Sequence, residues 1–319
     1  MRDTTAIDRR SLLALMAAAA AGGPAAAAAA QPFFARHKLP VGIQVYSLGE
    51  LPRTDLDGTM KQVAAIGYRT VELAGYLGKS PAQLRAAFDA AGLACSSAHV
   101  GMRAGTAEEP GLFGDLGKLA ADMHVLGVKT VIAPSFNAPA DIVIPANEPG
   151  ARGLARVARA MTEDHWKRLA ADLNGIGRKL KASGLGFGYH NHNVEFVPVG
   201  NRTGLGVMIA ETEPAAVSFE LDIGWAAAAG QDPAALFARN PGRYRAAHLK
   251  DIKPSTVANL ELKMDPTEVG SGKLDWGKIL PAAYKAGVRN FFVEQEAPFA
   301  FPRLVSAAKC YSYLSTLKA

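Results

Sequence analysis

Short apolar segments alternate along the chain with longer amphipathic segments, and a glycine often marks the change. Ala91-Gly92 precedes the apolar run 93–99, and Ser183-Gly184 precedes the run 185–190. Glycine just beyond a helix adopts the left-handed cap conformation without steric cost, so the run that follows it predicts a strand. The pattern predicts eight strands, at 41–46, 68–72, 93–99, 128–132, 185–190, 217–222, 244–249 and 288–294.

The order of these elements predicts the fold class. Helical segments, such as 81–90 and 165–181, separate the eight strands. This alternation favours an α/β protein with a single (β/α)₈ TIM barrel over residues 31–319. A doubly wound open sheet is the alternative, but the Gly-rich dinucleotide turn that is typical of it does not follow the first strand. The long connection 134–163 after the fourth strand predicts a lid or pocket wall, or a tolerated insertion.

The first thirty residues are predicted to lie outside the barrel. Arg9 and Arg10 precede Ser-Leu-Leu-Ala-Leu-Met and a long Ala-rich stretch, and Ala28 to Ala30 form a small-residue cleavage site. This segment resembles a twin-arginine export signal. The resemblance implies a periplasmic protein without a membrane anchor after cleavage; an Ala-rich tail without targeting meaning is the alternative.

Composition narrows the class of protein. The 319 residues are 49% hydrophobic and 20% charged, which is typical of a globular protein with a large core. The net charge of +6 is spread without a basic run, so we expect no nucleic-acid partner. Cys95 and Cys310 lie in apolar segments and are predicted to be buried and unpaired.

Polar residues stand at the carboxyl end of nearly every predicted strand. Strands of a parallel barrel are covered on both faces and should be apolar, so these side chains need partners. The most informative four come from consecutive strands: His190, Asp222, His248 and Glu294. Two imidazoles and two carboxylates predict a site for one divalent ion, such as Mn²⁺, Co²⁺, Zn²⁺, Fe²⁺ or Mg²⁺. An interior hydrogen-bonding group is the alternative for each residue taken alone.

Other polar residues near the strand ends are candidates for substrate contacts, with buried structural roles as the alternative. The predicted substrate-binding residues are Gln44, Tyr46, Glu72, His99, His192, Glu195, Trp225 and Glu296. Trp225 could stack on a sugar ring or cap the barrel mouth. The turn Gly270-Ser271-Gly272 is a weak signal for backbone amides that approach a ligand.

Several segments together resemble the xylose-isomerase-like TIM-barrel superfamily, and within it the sugar phosphate isomerase/epimerase group that includes tagatose epimerase and inosose dehydratase. The segments are Gly42-Ile43-Gln44-Val45-Tyr46-Ser47-Leu48, Gly67 to Glu72, Phe219-Glu220-Leu221-Asp222-Ile223-Gly224-Trp225, His248-Leu249-Lys250-Asp251, Val269-Gly270-Ser271-Gly272 and Val293-Glu294-Gln295-Glu296. The resemblance extends from about residue 40 to the end of the chain.

The resemblance implies a metal held by Glu, Asp, His and Glu from the fifth to eighth strands. Asp222, His248 and Glu294 match the last three, but the fifth strand offers His190 instead of Glu. His190 is expected to be the fifth-strand ligand, with His192 or Glu195 as the alternative.

The resemblance implies proton abstraction next to the carbonyl of a sugar. The predicted export disfavours phosphorylated substrates, so we expect an unphosphorylated one. Glu294, His190 and Lys250 are the predicted catalytic residues, Lys250 as a group that stabilises an enolate oxygen. A sugar isomerase or epimerase is the first interpretation. The His-for-Glu replacement leaves open a lyase or dehydratase that acts on a keto-sugar, cyclitol or 3-keto-glycoside, and a non-catalytic sugar-binding barrel. A homo-oligomer and a partner oxidoreductase that supplies the keto-sugar also stay open.

Overall fold

The computed structural model describes residues 31–106, 108–148 and 150–319. The predicted export segment 1–30 lies outside the described residues. Eight parallel strands form a closed barrel in which each strand pairs with its neighbours in the chain, and the last strand pairs with the first. The strands are β1 Gly42–Gln44, β2 Thr70–Ala74, β3 Ala94–His99, β4 Thr130–Ala133, β5 Gly186–His190, β6 Ser218–Asp222, β7 Tyr244–Leu249 and β8 Asn290–Val293. The predicted TIM barrel is confirmed.

Helices surround the barrel and connect its strands. They are α1 Phe33–Arg36, α2 Leu51–Thr54, α3 Leu56–Ile66, α4 Pro81–Ala91, α5 Leu116–Leu126, α6 Ala151–Ala160, α7 Glu163–Ala182, α8 Gly204–Glu211, α9 Ile223–Ala228, α10 Pro233–Arg239, α11 Trp276–Ala286 and α12 Arg303–Thr316. None of these helices combines the length and the apolar character that are needed to cross a bilayer.

Capping residues explain where the helices between the strands begin and end. Ser80 forms a capping box with Gln83 at the start of α4, and the Asp115 carboxylate accepts two backbone N–H groups at the start of α5. Gly92 and Gly127 then end α4 and α5 with φ of +69° and +78°. Only glycine adopts this conformation at little cost, which is why it marks the boundary between helix and strand in the sequence.

Short elements shape the carboxyl ends of the strands. Single 3₁₀ turns, Val45–Leu48 and Val194–Phe196, follow β1 and β5. Two small hairpins lie after β5 and β7; they pair Pro198–Val199 with Arg202–Thr203, and Asp251–Ile252 with Pro266–Thr267. The long connection after β4 contains α6, and its first residue, Pro134, lines the cavity at the barrel mouth.

The barrel interior is apolar near the start of the strands and polar near their ends. Phe292 of β8 is fully buried beside the His248 ring, whereas Glu294, two residues further along the same face, reaches the cavity. Cys95 and Cys310 are both buried and free, as predicted.

Candidate active site

Four polar side chains from β5, β6, β7 and the end of β8 converge at the barrel mouth. They are His190, Asp222, His248 and Glu294, and we call them the outer set. One donor atom of each lies within 4.8 Å of the others. His248 Nδ1 is 2.8 Å from Glu294 Oε2, and Asp222 Oδ2 is 3.8 Å from both His248 Nδ1 and His190 Nε2. The structure therefore brings together the four residues that the sequence singles out.

Three more side chains, two buried carboxylates and one partly exposed imidazole, lie against the rings of His190 and His248. They are Glu72 of β2, His99 of β3 and Glu220 of β6, and we call them the inner set. Glu220 Oε2 lies 2.9 Å from His99 Nε2, 3.1 Å from His190 Nδ1 and 3.2 Å from His248 Nε2. Glu72 Oε1 lies 2.7 Å from His248 Nε2 and 3.1 Å from His99 Nε2. Two carboxylates thus connect three imidazoles.

Lys250 brings a positive charge into the outer set. Its ammonium is 2.8 Å from Asp222 Oδ2 and 2.8 Å from Glu294 Oε2, and it also donates a hydrogen bond to Glu296 Oε1. The side chain is only 1% exposed. Burial opposes its charge, but the neighbouring carboxylates, Asp222 first, raise the pKa of Lys250 well above its usual value. Lys250 is therefore an ammonium enclosed by carboxylates, and its side chain lies behind the cavity wall.

Two imidazoles near the cavity have opposite surroundings. Burial lowers the pKa of His99, but the charges of Glu72 and Glu220 outweigh it and raise the pKa to about 9. Burial lowers the pKa of His192 to about 4, and its Nδ1 is buried without a hydrogen-bond partner among the described residues. At neutral pH, His99 is an imidazolium and His192 a neutral imidazole.

Asp222 of the outer set and Glu220 of the inner set have pKa values shifted in opposite directions. Burial raises the pKa of Asp222 to about 6, although Lys250 opposes the shift. Burial acts in the same direction on Glu220, but His248 and the other imidazoles hold the pKa of Glu220 well below its usual value. Surrounding imidazoles therefore favour the ionised form of Glu220, which contacts both His190 and His248 of the outer set.

The outer set fits a divalent ion. Ligand atoms around an ion with bonds of about 2.1 Å lie roughly 3 to 3.5 Å apart, close to the distances between these donors. Two nitrogens and two carboxylate oxygens suit Mn²⁺, Co²⁺, Zn²⁺ or Fe²⁺. Three carboxylates face one ammonium here, which leaves negative formal charge to balance an added cation.

A cavity of about 360 Å³ opens at the barrel mouth above the outer set. Of the predicted site residues, those on its wall are Tyr46, His99, His190, His192, Glu294 and Glu296. Arg103 and Glu109, from the loop after β3, also line the cavity. This volume is in the range of small-molecule sites.

Four predicted substrate contacts lie behind the cavity wall. Gln44 donates a hydrogen bond of 2.9 Å to Glu72, and both side chains are fully buried. Glu195 accepts hydrogen bonds from Tyr189 Oη and from the His192 backbone N–H, both at 2.8 Å, so it does not supply a fifth-strand ligand.

Trp225 is the fourth of these residues. It is 3% exposed, and its Nε1 donates to Glu296 Oε1 at 3.0 Å. The Lys250 ammonium lies 5.3 Å from its ring centroid. The ring therefore does not line the cavity and caps the interior, which is the second of the two roles that the sequence left open for it.

Backbone amides of the Gly270-Ser271-Gly272 turn after β7 already donate hydrogen bonds within the protein. Gly270 N and Gly272 N donate to the buried Asp251 carboxylate at 3.0 and 3.3 Å. Trp276 Nε1 donates to the same carboxylate at 2.8 Å. These amides hold the loop in place and are not free to bind a ligand.

Glu220 is the main site residue that the sequence analysis missed. It stands two positions before Asp222 on β6, and alternate residues of a strand share a face, so both carboxylates point into the barrel. A charged residue in the middle of a parallel strand was the signal. Arg103 and Glu109 lie in an irregular loop, where no sequence periodicity indicates which way a side chain points.

A parallel barrel whose polar site lies at the carboxyl ends of its strands has the architecture of TIM-barrel enzymes. The chain belongs to the xylose isomerase-like TIM barrel family, whose model matches residues 60–300.

The chain is similar to sugar enzymes of this family. Inosose dehydratase from Lacticaseibacillus casei is 28% identical over 169 residues, which cover 48% of this chain and 55% of that protein. The chain thus matches about half the length of the curated relatives. A sugar phosphate isomerase/epimerase from Parabacteroides distasonis ATCC 8503 superposes with a TM-score of 0.68 at 24% identity, over 92% of this chain and 96% of that one. An L-ribulose 3-epimerase gives 0.60 at 15% identity, over 86% and 93%. At these identities, the two structures show the shared fold.

Proposed function

We propose that this protein is a divalent-metal-dependent enzyme that removes a proton next to the carbonyl of an unphosphorylated keto-sugar, cyclitol or 3-keto-glycoside. Elimination of a β-hydroxyl or β-alkoxide is the outcome that we favour. The proposal rests on one observation above all: a neutral His192 and a positively charged His99 line the same cavity.

Groups whose surroundings push their pKa values apart are suited to opposite proton transfers. His192 lines the cavity as a neutral imidazole and can accept the proton from carbon. His99 is held by Glu72 and Glu220 as an imidazolium and can donate a proton to the departing oxygen. A divalent ion bound by the outer set would polarise the substrate oxygens.

The proposed reaction conserves protons and electrons without a redox partner. His192 takes the α-proton, and the electron pair of the C–H bond forms an enolate. The enolate re-forms its carbonyl as the C–O bond at the β-carbon breaks, and His99 protonates the oxygen that leaves. The products are an α,β-unsaturated carbonyl compound and water or an alcohol.

The charge of the cavity wall favours an unphosphorylated substrate. Glu109, Glu294 and Glu296 contribute carboxylates to the wall, whereas Arg103 contributes a single guanidinium. A phosphate dianion would meet repulsion from these carboxylates. Inosose dehydratase, the curated relative, carries the name of a lyase, which agrees with elimination.

The proposal is tested by following a panel of keto-sugars, inososes and 3-keto-glycosides in D₂O by NMR, with Mn²⁺ or Co²⁺ bound. In the native chain we expect the α-C–H signal to decrease and an alkene signal to appear. His192→Gln should slow both by about 10²- to 10⁴-fold, because the base is lost. His99→Gln should retain the exchange and lose the alkene product, because only the acid is lost.

The result also separates the alternatives. Exchange that yields an inverted sugar without an alkene would identify an epimerase. Binding of a sugar without exchange would identify a binding protein. Absence of exchange over the whole panel, with metal bound, would contradict the proposed chemistry.

A further inference from the structure

The imidazoles of His190 and His248 each lie between an inner and an outer carboxylate, with one ring nitrogen facing each. His190 points Nδ1 at Glu220 and Nε2 at Asp222, at 3.1 and 3.8 Å. His248 points Nε2 at Glu72 and Nδ1 at Glu294, at 2.7 and 2.8 Å. The two rings therefore face the outer carboxylates, Asp222 and Glu294, with different nitrogens.

The inner carboxylates restrict which nitrogen is available for coordination. An ionised carboxylate only accepts hydrogen bonds, so the ring nitrogen that faces it carries a hydrogen. When the outer carboxylates bind an ion, the ring nitrogen that faces them would lose its hydrogen and present its lone pair to the same ion. Around protein-bound metals, a carboxylate frequently accepts a hydrogen bond from the ring nitrogen of a ligand histidine that does not bind the metal.

Resting on the proposed metal site, we infer that Glu220 is a positioning residue, assisted by Glu72. It makes His190 ligate a divalent ion through Nε2 and His248 through Nδ1. Glu220 suits this role because one of its oxygens meets three imidazoles and its side chain is fully buried. Its position is fixed by β6, two residues before the ligand Asp222.

A competing arrangement makes the inner residues the ligands themselves. Donor atoms of His99, His190, Glu220 and His248 also lie within 4.8 Å of one another. Both arrangements reach the cavity wall, the outer set through His190 and Glu294 and the competing one through His99 and His190. The outer set is favoured because its two carboxylates balance the charge of a divalent ion, whereas the competing arrangement has one carboxylate. The two arrangements require different nitrogens of His190 and His248, so they can be distinguished.

The first test measures Mn²⁺ binding to the metal-free full chain by calorimetry. Glu220→Gln should weaken Mn²⁺ affinity by about 10- to 100-fold, the range for loss of an outer-layer partner, with one ion bound per chain. Glu268→Gln is the matched control. Glu268 is equally buried but bonds to Ser306 Oγ at 2.7 Å and Gln295 Nε2 at 3.3 Å.

The second test needs no variant and stands even where Glu220→Gln fails to fold. Long-range ¹H–¹⁵N NMR of the Zn²⁺-loaded native chain should show that His190 keeps its hydrogen on Nδ1 and His248 on Nε2. The reverse assignment for either ring would overturn the inference. Unchanged Mn²⁺ affinity in folded Glu220→Gln would overturn it as well.

A third result would be that Glu220→Gln abolishes Mn²⁺ binding while Asp222→Asn retains it. That result would place the ion on the inner set and would also overturn the inference. These readouts do not depend on turnover. A chain that binds Mn²⁺ as described but acts on no sugar would refute the proposed reaction and leave the role of Glu220 standing.

Discussion

The two carboxylates that β6 presents to the barrel interior are two residues apart and have contrasting surroundings. Glu220 contacts three imidazoles, which hold its pKa well below the usual value. Asp222 lies beside the Lys250 ammonium, and burial raises its pKa to about 6. The inner carboxylate accepts hydrogen bonds from imidazoles, whereas the outer one pairs with an ammonium and would exchange it for the ion in the proposed metal site. In that site, the same strand would supply both a ligand and the group that orients the neighbouring ligands.

The largest expected effect comes from removing the outer carboxylate. Asp222→Asn should weaken Mn²⁺ binding by at least about 1,000-fold, beyond the range typical of an outer-layer partner, because a direct ligand loses its charge. Calorimetry on the metal-free chain measures it. If Asp222→Asn and Glu220→Gln weakened binding equally, the distinction between the two sets would fail.

The Lys250 ammonium is expected to stabilise the metal-free barrel. Lys250→Met leaves Asp222 and Glu294 buried without their cation, which should lower the free energy of unfolding by about 3 to 5 kcal/mol. Added Mn²⁺ should recover part of this loss, because binding to the folded chain alone stabilises it. Urea denaturation with EDTA or Mn²⁺ measures both effects.

Lys253→Met is the control for Lys250→Met. Lys253 pairs with Asp265 at 3.0 Å on the surface, where an ion pair contributes less than about 1 kcal/mol. Equal destabilisation by both substitutions would contradict the role assigned to the buried ammonium.

A smaller, pH-dependent effect is expected from His99 of the inner set. Its pKa is 6.5 when unperturbed and about 9 in the folded chain, so its protonation stabilises the fold fully below pH 6.5. This contribution is lost as pH rises through 9. At pH 6, with EDTA present, the free energy of unfolding should be higher for the native chain than for His99→Gln by up to about 3 kcal/mol. The difference should disappear above pH 9; a difference that grows with pH would contradict the assignment.

The fold could be predicted closely because local signals and the global arrangement agree. Glycine caps mark the starts of strands, and the predicted seventh strand, 244–249, coincides with β7. Predicted strand 288–294 extends beyond β8, which ends at Val293, because an apolar run does not show where backbone pairing stops.

The outer set was predictable for a geometric reason. In a parallel barrel all strands end on the same face, so His190, Asp222, His248 and Glu294 had to be neighbours. Glu72 and His99 of the inner set were predicted as site residues, but the contacts of this set were not, because which carboxylate meets which ring nitrogen depends on register and side-chain rotamers. Trp225 shows the same limit: its position after β6 was clear, but its contact with Glu296 depends on tertiary packing.

The proposed function requires the outer set to hold one divalent ion at the wall of the cavity. Anomalous diffraction from crystals of the Mn²⁺-loaded chain tests it most directly. We predict a single peak about 2.0 to 2.3 Å from His190 Nε2, Asp222 Oδ2, His248 Nδ1 and Glu294 Oε2. A peak among Glu72, His99 and Glu220, or no peak at the barrel mouth, would contradict the account.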